Sequence, residues 1–391
     1  MKMMQQIRGL ALAFLRTSKS SSFATPTRVS PLAALIMRQA TVNPRPFTRC
    51  FASTAARLTT MEKLVPLDQL SVTVIVDNES DTMSSAIRGV EGFQYWPQKK
   101  RGPPYKDPSL CSAGHGLSLL LQAQVSEDNV QTLLLDAGPS PNLWKNNMES
   151  LGIDPGIIDT AVLSHYHWDH SGGLRGAVPL VAKAKRSTVD PLVVDLQSDA
   201  IVSRGRPMPD QSVEMHEPDN PTASELTTLG ARVQFHEKDH TVGQDFFYVS
   251  GYIPRLNDFE TGFPGHVTFR QGKWMPDSEI ADERYVACHV KNRGLVVFSA
   301  CSHAGINNVC RDALHKASDN RLFGIMGGLH LAGAQVEGRI SRTIGDLKEL
   351  DPSVVLAGHC TGWRAKAQLA AELDGNFQPI SVGCTYKFTS Q

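Results

Sequence analysis

Four side chains able to bind a metal fall within six residues: His165, His167, Asp169 and His170, in the string Ser164-His165-Tyr166-His167-Trp168-Asp169-His170-Ser171-Gly172-Gly173-Leu174. This density constrains the fold, because imidazole nitrogens suit zinc and other first-row divalent ions only when one turn aims several of them at a common point. Thr160 to Ser164 read as a short strand, which places the motif in the turn that leaves it. There the alternating His165 and His167 point at one ion, while Asp169 and His170 reach a second. Gly172 and Gly173 let the backbone pass close to the site.

A pair of ions needs further donors. His303 in FSACSHAGIN, His330 in GIMGGLHL and His359 in VVLAGHCTG each follow an apolar strand and stand beside Gly, Ser or Cys, where a side chain can project from a sheet edge. The expected metal ligands are therefore His165, His167, Asp169, His170, His303 and His359. Asp169 and His330 are the expected catalytic groups. His115 in AGHG, Arg255 in the IPR turn and Thr361 are expected to bind substrate, the guanidinium fork of Arg255 suiting a phosphate or carboxylate. His240 in KDHTVG is a rival ligand, whereas His216, His236, His266, His289 and His315 lack the strand-end setting and default to surface or core positions.

The His-x-His-x-Asp-His pattern followed by Gly-Gly resembles the metallo-β-lactamase fold superfamily. The strings GHGLSLLLQAQ, SGYIPRLNDFETGFPG, DERYVACHVKNRGLVVFSACSHAGINN and GHCTGWRA narrow the likeness to the dihydropterin ribofuranosyl-aminobenzene phosphate synthase-like branch, over most of residues 71–388. The resemblance implies a single α/β domain of αββα sandwich form with metals at one edge of paired sheets, and makes Asp136 in LLLDAG a supporting residue. Two divalent ions are implied as cofactors, zinc first and iron or manganese as alternatives. Where many relatives carry a bridging Asp after the strand occupied here by LVVFSA, this chain has Ala300, Cys301 and Ser302, so Cys301, His303 or a water is left to bridge.

The surrounding pattern agrees with a layered α/β domain. Strands are expected at Ser71 to Asn78, Leu117 to Gln124, Val130 to Gly138, Tyr285 to Val290, Leu295 to Ala300, Leu322 to Met326 and Val354 to Ala357. Helices are expected at Pro141 to Leu151, capped by Ser140, and at Val309 to Ala317 and Gln335 to Leu350. The stretches from Glu79 to Gly114 and Lys183 to Asp219 lack periodicity and are expected to wall the pocket.

The formal charge of zero, 39 basic against 39 acidic residues, conceals an uneven distribution. No acid precedes Glu62, whereas Lys2, Arg8, Arg16, Lys19, Arg28, Arg38, Arg45, Arg49 and Arg57 do; removing those nine leaves 30 basic against 39 acidic residues. Residues 1–61, rich in Arg, Ser and Ala, read as a mitochondrial transit peptide cut after Phe51, with a plain basic tail and a secretory signal as competing readings, and Met61 could start a cytosolic form. Residues 62–391 form the domain. Their acidity excludes a basic nucleic-acid binder, and no apolar run is long enough to span a bilayer. Six scattered cysteines remain there and read as free thiols rather than a disulfide framework. The function expected is a matrix metal-dependent hydrolase acting on a small anionic metabolite. Transferase chemistry of the synthase-like branch and a redox or non-catalytic metal-binding role are the alternatives, and oligomeric state is not legible.

Overall fold

The computed structural model describes residues 61–390 except 82–83, 85–86, 88–109, 186–189, 199–200, 209, 211, 216–217 and 318–320. The expected transit segment, and most of the loop from Glu79 to Gly114, lie outside the described residues. The strands are β1 Gln69–Val76, β2 Ser118–Ser126, β3 Asn129–Leu135, β4 Thr160–Val162, β5 Val193–Leu196, β6 Ser203–Pro207, β7 Val213–Met215, β8 Arg232–Phe235, β9 His240–Val242, β10 Phe247–Val249, β11 Val267–Arg270, β12 Lys273–Pro276, β13 Val286–Val290, β14 Gly294–Ser299, β15 Leu322–Gly328, β16 Val354–Gly358, β17 Phe377–Pro379 and β18 Thr385–Thr389. The helices are α1 Pro141–Leu151, α2 Trp168–Ser171, α3 Leu174–Lys185, α4 Ala223–Thr228, α5 Ile306–Lys316, α6 Ile340–Glu349 and α7 Trp363–Glu372.

Two seven-stranded sheets follow the orders β18-β1-β2-β3-β4-β5-β8 and β17-β16-β15-β14-β13-β10-β9. Strand alternation decides the layers. Leu119, Leu121, Leu133 and Leu135 point into the slab shared with Val296, Phe298, Met326 and Leu356 of the other sheet. Their neighbours Leu120 and Leu134 turn the other way, onto Trp144, Met148 and Val178 of α1 and α3. On the far side Val297, Ile325 and Val355 pack against Val309, Ile344 and Leu369 of α5, α6 and α7. Period-two burial on both faces of both sheets produces the αββα sandwich expected from the sequence.

Each sheet is antiparallel at one side and parallel at the other: β3, β4, β5 and β8 run parallel in the first, β14, β15, β16 and β17 in the second. Parallel neighbours need crossovers, which α1, α3, α4, α5, α6 and α7 supply. The carboxyl ends of these strands, where open α/β sheets bind ligands, carry the predicted histidines. α1 starts and stops as predicted: Ser140 Oγ accepts from Leu143 N at 3.2 Å, Pro141 opens the first turn, and Gly152 closes it at φ 67°.

The stretch from Lys183 to Asp219, unassigned from sequence, contains β5, β6 and β7. With β11 and β12 the last two form a four-stranded sheet of order β12-β11-β6-β7. α3 was also missed, because Gly176 and Pro179 interrupt its helical pattern.

Candidate metal centre

The His-rich turn is held from behind by Asp136, which ends β3 at φ 58°. Its Oδ1 accepts from Ser164 N at 2.7 Å, and its Oδ2 accepts from Ser164 Oγ and from His170 Nδ1, each at 2.7 Å. The Ser164 hydroxyl donates to Asp136, so its Oγ lone pair accepts from His165 Nδ1 at 2.8 Å. His165 and His170 therefore carry their protons on Nδ1 and present Nε2 forward. The glycine pair is required by crowding: a Cβ on Gly173 would meet the Ala137 carbonyl oxygen at 1.8 Å, and one on Gly172 the Pro139 carbonyl oxygen at 2.3 Å.

The second sheet supplies donors from separate strand ends. Cys301 and His303 follow β14, and His359 follows β16. Ser302 at φ 62°, His330 at φ 46° and His359 at φ 48° all lie in the left-handed region, which a side chain occupies at a cost and which concentrates at functional turns. Buried carboxylates pin these turns. Glu283 accepts from His303 N at 2.7 Å and Ala304 N at 2.6 Å, and Asp77 Oδ1 accepts from His359 N at 2.8 Å.

Two groups of donors result. His165 Nε2, His167 Nδ1 and His303 Nε2 form a triangle with edges of 2.8, 3.1 and 3.2 Å. Those separations suit nitrogens that share one ion at roughly 2.0–2.1 Å. Beside it, Asp169 Oδ2 lies 3.6 Å from His170 Nε2 and 3.3 Å from His359 Nε2. Cys301 Sγ lies 3.2 Å from each of the same two nitrogens. The sulfur also falls in one candidate metal group with His165 and His170, so it stands between the two sets. All these side chains are buried.

Tautomers follow from fixed partners. Asn78 Oδ1 accepts from Gly116 N at 3.1 Å, which marks it as the amide oxygen, so His359 Nδ1 donates to it at 3.1 Å and presents a bare Nε2. The Asn78 amide nitrogen donates to His115 Nδ1 at 3.2 Å; His115 then carries its proton on Nε2, 3.3 Å from Asp169 Oδ2. His115 is thereby a donor to Asp169.

Burial holds His165, His167 and His303 well below the usual imidazole range, so they are neutral donors. Burial opposes charge on His170 too, but the Asp169 and Asp136 carboxylates outweigh it and push that imidazole up to about 9. For Asp169 burial would raise the carboxyl, yet His170 and His359 hold it far below the usual carboxylate range. Imidazole nitrogens, a carboxylate and a thiol, backed by hydrogen-bonded outer partners, are a donor set that fits divalent ions, which would displace the extra proton of His170.

The centre opens into a cavity of about 720 Å³ lined by His115, His167, Asp169, Cys301, His303, His330 and His359, together with Asn78, Glu79, Arg204, Arg206, His266 and Lys366. The stretch from Lys183 to Asp219 contributes Arg204, Gly205 and Arg206 to its wall, as expected; of the described residues of the stretch from Glu79 to Gly114, Glu79 does. The His330 ring lies 4.3 Å from that of His303, tilted by 58°. Two expected substrate contacts are not brought there. Arg255 spends its guanidinium on the carbonyls of Ile253 and Glu279, and its fork braces backbone instead of facing the cavity. Thr361 is buried, with Oγ1 accepting from Leu329 N at 3.1 Å, and ties the β15 turn to the β16 turn. His240 stands apart from the centre.

Sequence reasoning missed His266, whose Nε2 lies 3.4 Å from His167 Nε2, and the arginines of β6. Arg204 is fully buried, donating to the Tyr166 carbonyl at 2.7 Å and to the Asp277 and Asp282 carboxylates. Arg206 is exposed, 4.9 Å over the Phe263 ring. These residues ride the four-stranded sheet, so no local motif announces them.

Residues 114–248 match the family described as the Metallo-beta-lactamase superfamily. The 7,8-dihydropterin-6-methyl-4-(beta-D-ribofuranosyl)-aminobenzene-5'-phosphate synthase of Methanocaldococcus jannaschii is 28% identical over 278 residues, 70% of this chain and 90% of that protein. An uncharacterised protein of the same organism is 26% identical over 258 residues, 66% of this chain and 88% of its own length. A crystal structure described as a metal-dependent hydrolase of the beta-lactamase superfamily superposes with a TM-score of 0.58 at 22% identity, covering 81% of this chain and 98% of that one.

Proposed function

We propose that this chain, whose fold is that of the metallo-β-lactamases, is a metal-dependent hydrolase that cleaves a small anionic metabolite at a dinuclear centre. The observation that carries this reading is the convergence of His170 Nε2 and His359 Nε2 on Asp169 and Cys301, beside the His165–His167–His303 triangle, in the wall of a cavity. His165, His167 and His303 would hold one ion, and Asp169, His170 and His359 the other, with Cys301 replacing the expected bridging carboxylate. Zinc suits this nitrogen, oxygen and sulfur set best, with iron or manganese as alternatives. Bound divalent ions supply Lewis acidity and lower the pKa of a coordinated water.

The protein's own groups do the rest. Asp169, kept ionised by His170 and His359 and oriented by the His115 Nε2 proton, accepts a proton from the attacking water. His330 faces the cavity beside His303 and is placed to donate to the leaving group. Arg206 and Lys366, both in the cavity wall, attract an anionic substrate to an otherwise acidic domain. Metal analysis of the purified chain, followed by a phosphodiester, thioester and lactone panel, tests this. Stoichiometric metal with hydrolysis that disappears in Asp169→Ala is expected; hydrolysis unaffected by that change overturns it.

The named synthase relative favours a second reading, the transferase chemistry of the branch this chain resembles: a pterinylmethyl unit would pass from its diphosphate to an arylamine nitrogen, the C–O bond breaking as the C–N bond forms and pyrophosphate leaving. Pyrophosphate release only when both reactants are present would select it. Residues 1–61 are proposed as a matrix-targeting leader, a reading that an intact Met1 on the mature protein would exclude.

A further inference from the structure

A third cluster of metal-competent side chains lies outside the cavity: Asp195 near the end of β5, His236 just after β8 and His240 at the start of β9. Asp195 is buried, and its two oxygens are committed differently. Oδ1 accepts from Arg284 Nη1 at 2.6 Å, while the same guanidinium donates through Nη2 to the carbonyls of Leu163 and Asp195 at 2.6 and 3.0 Å. Oδ2 faces His236 Nδ1 at 2.6 Å and His240 Nε2 at 3.0 Å.

The tautomer of His240 makes this arrangement informative. Its Nδ1 lies 3.0 Å from the Lys238 carbonyl oxygen, which can only accept, so Nδ1 carries the proton. In neutral imidazole the Nε2 lone pair then points at a carboxylate lone pair. Either a second proton or a cation must lie between them. His236 and His240 stack at 3.9 Å between centroids and 20° between planes, so the second proton, where it is the answer, sits on His240 alone, with neutral His236 donating through Nδ1. An N–H hydrogen-bonded to a carbonyl, with the other nitrogen turned to a shared point, is also how metal-bound histidines are oriented.

We propose that Asp195, His236 and His240 form a second site for a divalent ion, separate from the catalytic centre and open to solvent on the His236 side. Two imidazoles and one monodentate carboxylate are a borderline donor set that selects zinc over calcium or magnesium. The His236 side chain is 36% exposed and that of His240 14%, leaving room for water to complete the coordination. β8 belongs to the first sheet and β9 to the second, so the ion would clamp the crossing between them to the Asp195–Arg284 pair. Its role is structural: no residue of the cluster lines the cavity.

The test uses the full chain, stripped with a chelator and titrated with zinc chloride by calorimetry, with metal content measured after desalting. His240→Gln is the chosen variant, because the Gln amide can donate to Asp195 Oδ2 and satisfy it without a cation. Wild type is expected to bind one zinc equivalent more than His240→Gln, and cadmium-loaded wild type to show one additional cadmium NMR signal that the variant lacks. Hydrolytic activity is expected to be the same in both. His236→Ala, at the exposed position, should lose the same equivalent and serves if His240→Gln fails to fold. Equal zinc stoichiometry in all three proteins overturns the proposal and assigns the contact to a His240 imidazolium. The zinc retained by the variants reports separately on the centre in the cavity.

Discussion

The two sheets contribute to the candidate centre in different ways. The first delivers His165, His167, Asp169 and His170 on one continuous turn, where Asp136 holds the Ser164 backbone N–H and, through side chains, Ser164 Oγ and His170 Nδ1, with Ser164 Oγ in turn on His165 Nδ1. The second delivers Cys301, His303 and His359 from separate strand ends, and there the supporting carboxylates Glu283 and Asp77 grip backbone N–H groups. The first half orients its imidazoles through Asp136 and Ser164, with one left-handed residue at Asp136; the second positions whole turns, with left-handed backbone at Ser302, His330 and His359. Damage to the first half should therefore be seen in metal affinity and chemistry, and damage to the second in folding.

Asp169 is where the halves meet, because its carboxylate faces His170 of the first and His359 of the second. Asp169→Ala should lower kcat/KM by about 10³-fold or more, since an ion ligand and the proton acceptor go together and metal polarisation contributes several kcal/mol. Steady-state kinetics with metal content measured on the same sample checks this. Retention of both metal and rate would break the division proposed here.

The second half should respond to pH. Burial pushes the Asp77 carboxyl up from 3.8 to about 6, against the opposing pull of Lys366 and His359. Because the folded value lies above the unfolded one, its stabilising contribution is complete below about 3.8 and is lost as pH rises through about 6. Asp77→Asn escapes this penalty. Its stability relative to wild type should improve by about 3 kcal/mol between pH 4 and pH 7, two units at ~1.4 kcal/mol each. Urea unfolding of chelator-stripped protein at the two pH values measures the change, and a constant difference would show that Asp77 does not titrate in this range.

Asp136→Asn is the matching probe of the first half. It leaves backbone turns intact but disturbs the proton positions of Ser164 and His170. Zinc affinity should fall roughly 10- to 100-fold, the usual cost of losing an outer partner of a metal ligand, with stability of the metal-free chain little altered. A large loss of apo stability with unchanged affinity would reverse the assignment of roles.

Legibility in the sequence follows the same division. Four donors in six residues are a local statement, as is the capped helix Pro141–Leu151. The strand-end histidines could be found because parallel strands are apolar runs and their ends are marked by Gly, Ser or Cys. His266, Arg204 and Arg206 could not, because β6 and β11 are five- and four-residue strands that pair across some sixty positions, with no turn motif joining them. Arg255 misled for a related reason: a guanidinium fork suits a phosphate and a pair of carbonyls equally, and only the tertiary position of Glu279 decides. His236 and His240 carried no strand-end signal, since their carboxylate partner lies about forty residues upstream.

The smallest effect belongs to the one donor at which this chain departs from the pattern it resembles. Cys301 stands 3.2 Å from both His170 Nε2 and His359 Nε2, with Cys360 Sγ a further 3.5 Å away. If that position exists to share an anionic atom between the two sets, a carboxylate should serve nearly as well as a thiolate. Cys301→Asp should then keep its full metal complement and remain within about tenfold of wild-type kcat/KM, comparable to the mildest outer-partner losses. Cys301→Ala, with no donor, should lose more. Cobalt-loaded wild type should show a thiolate-to-metal absorption band, since a coordinated thiol is deprotonated outright, and both variants should lack it. Persistence of the band in Cys301→Asp would move the sulfur ligand to Cys360 and tie the second half to the β16 turn alone.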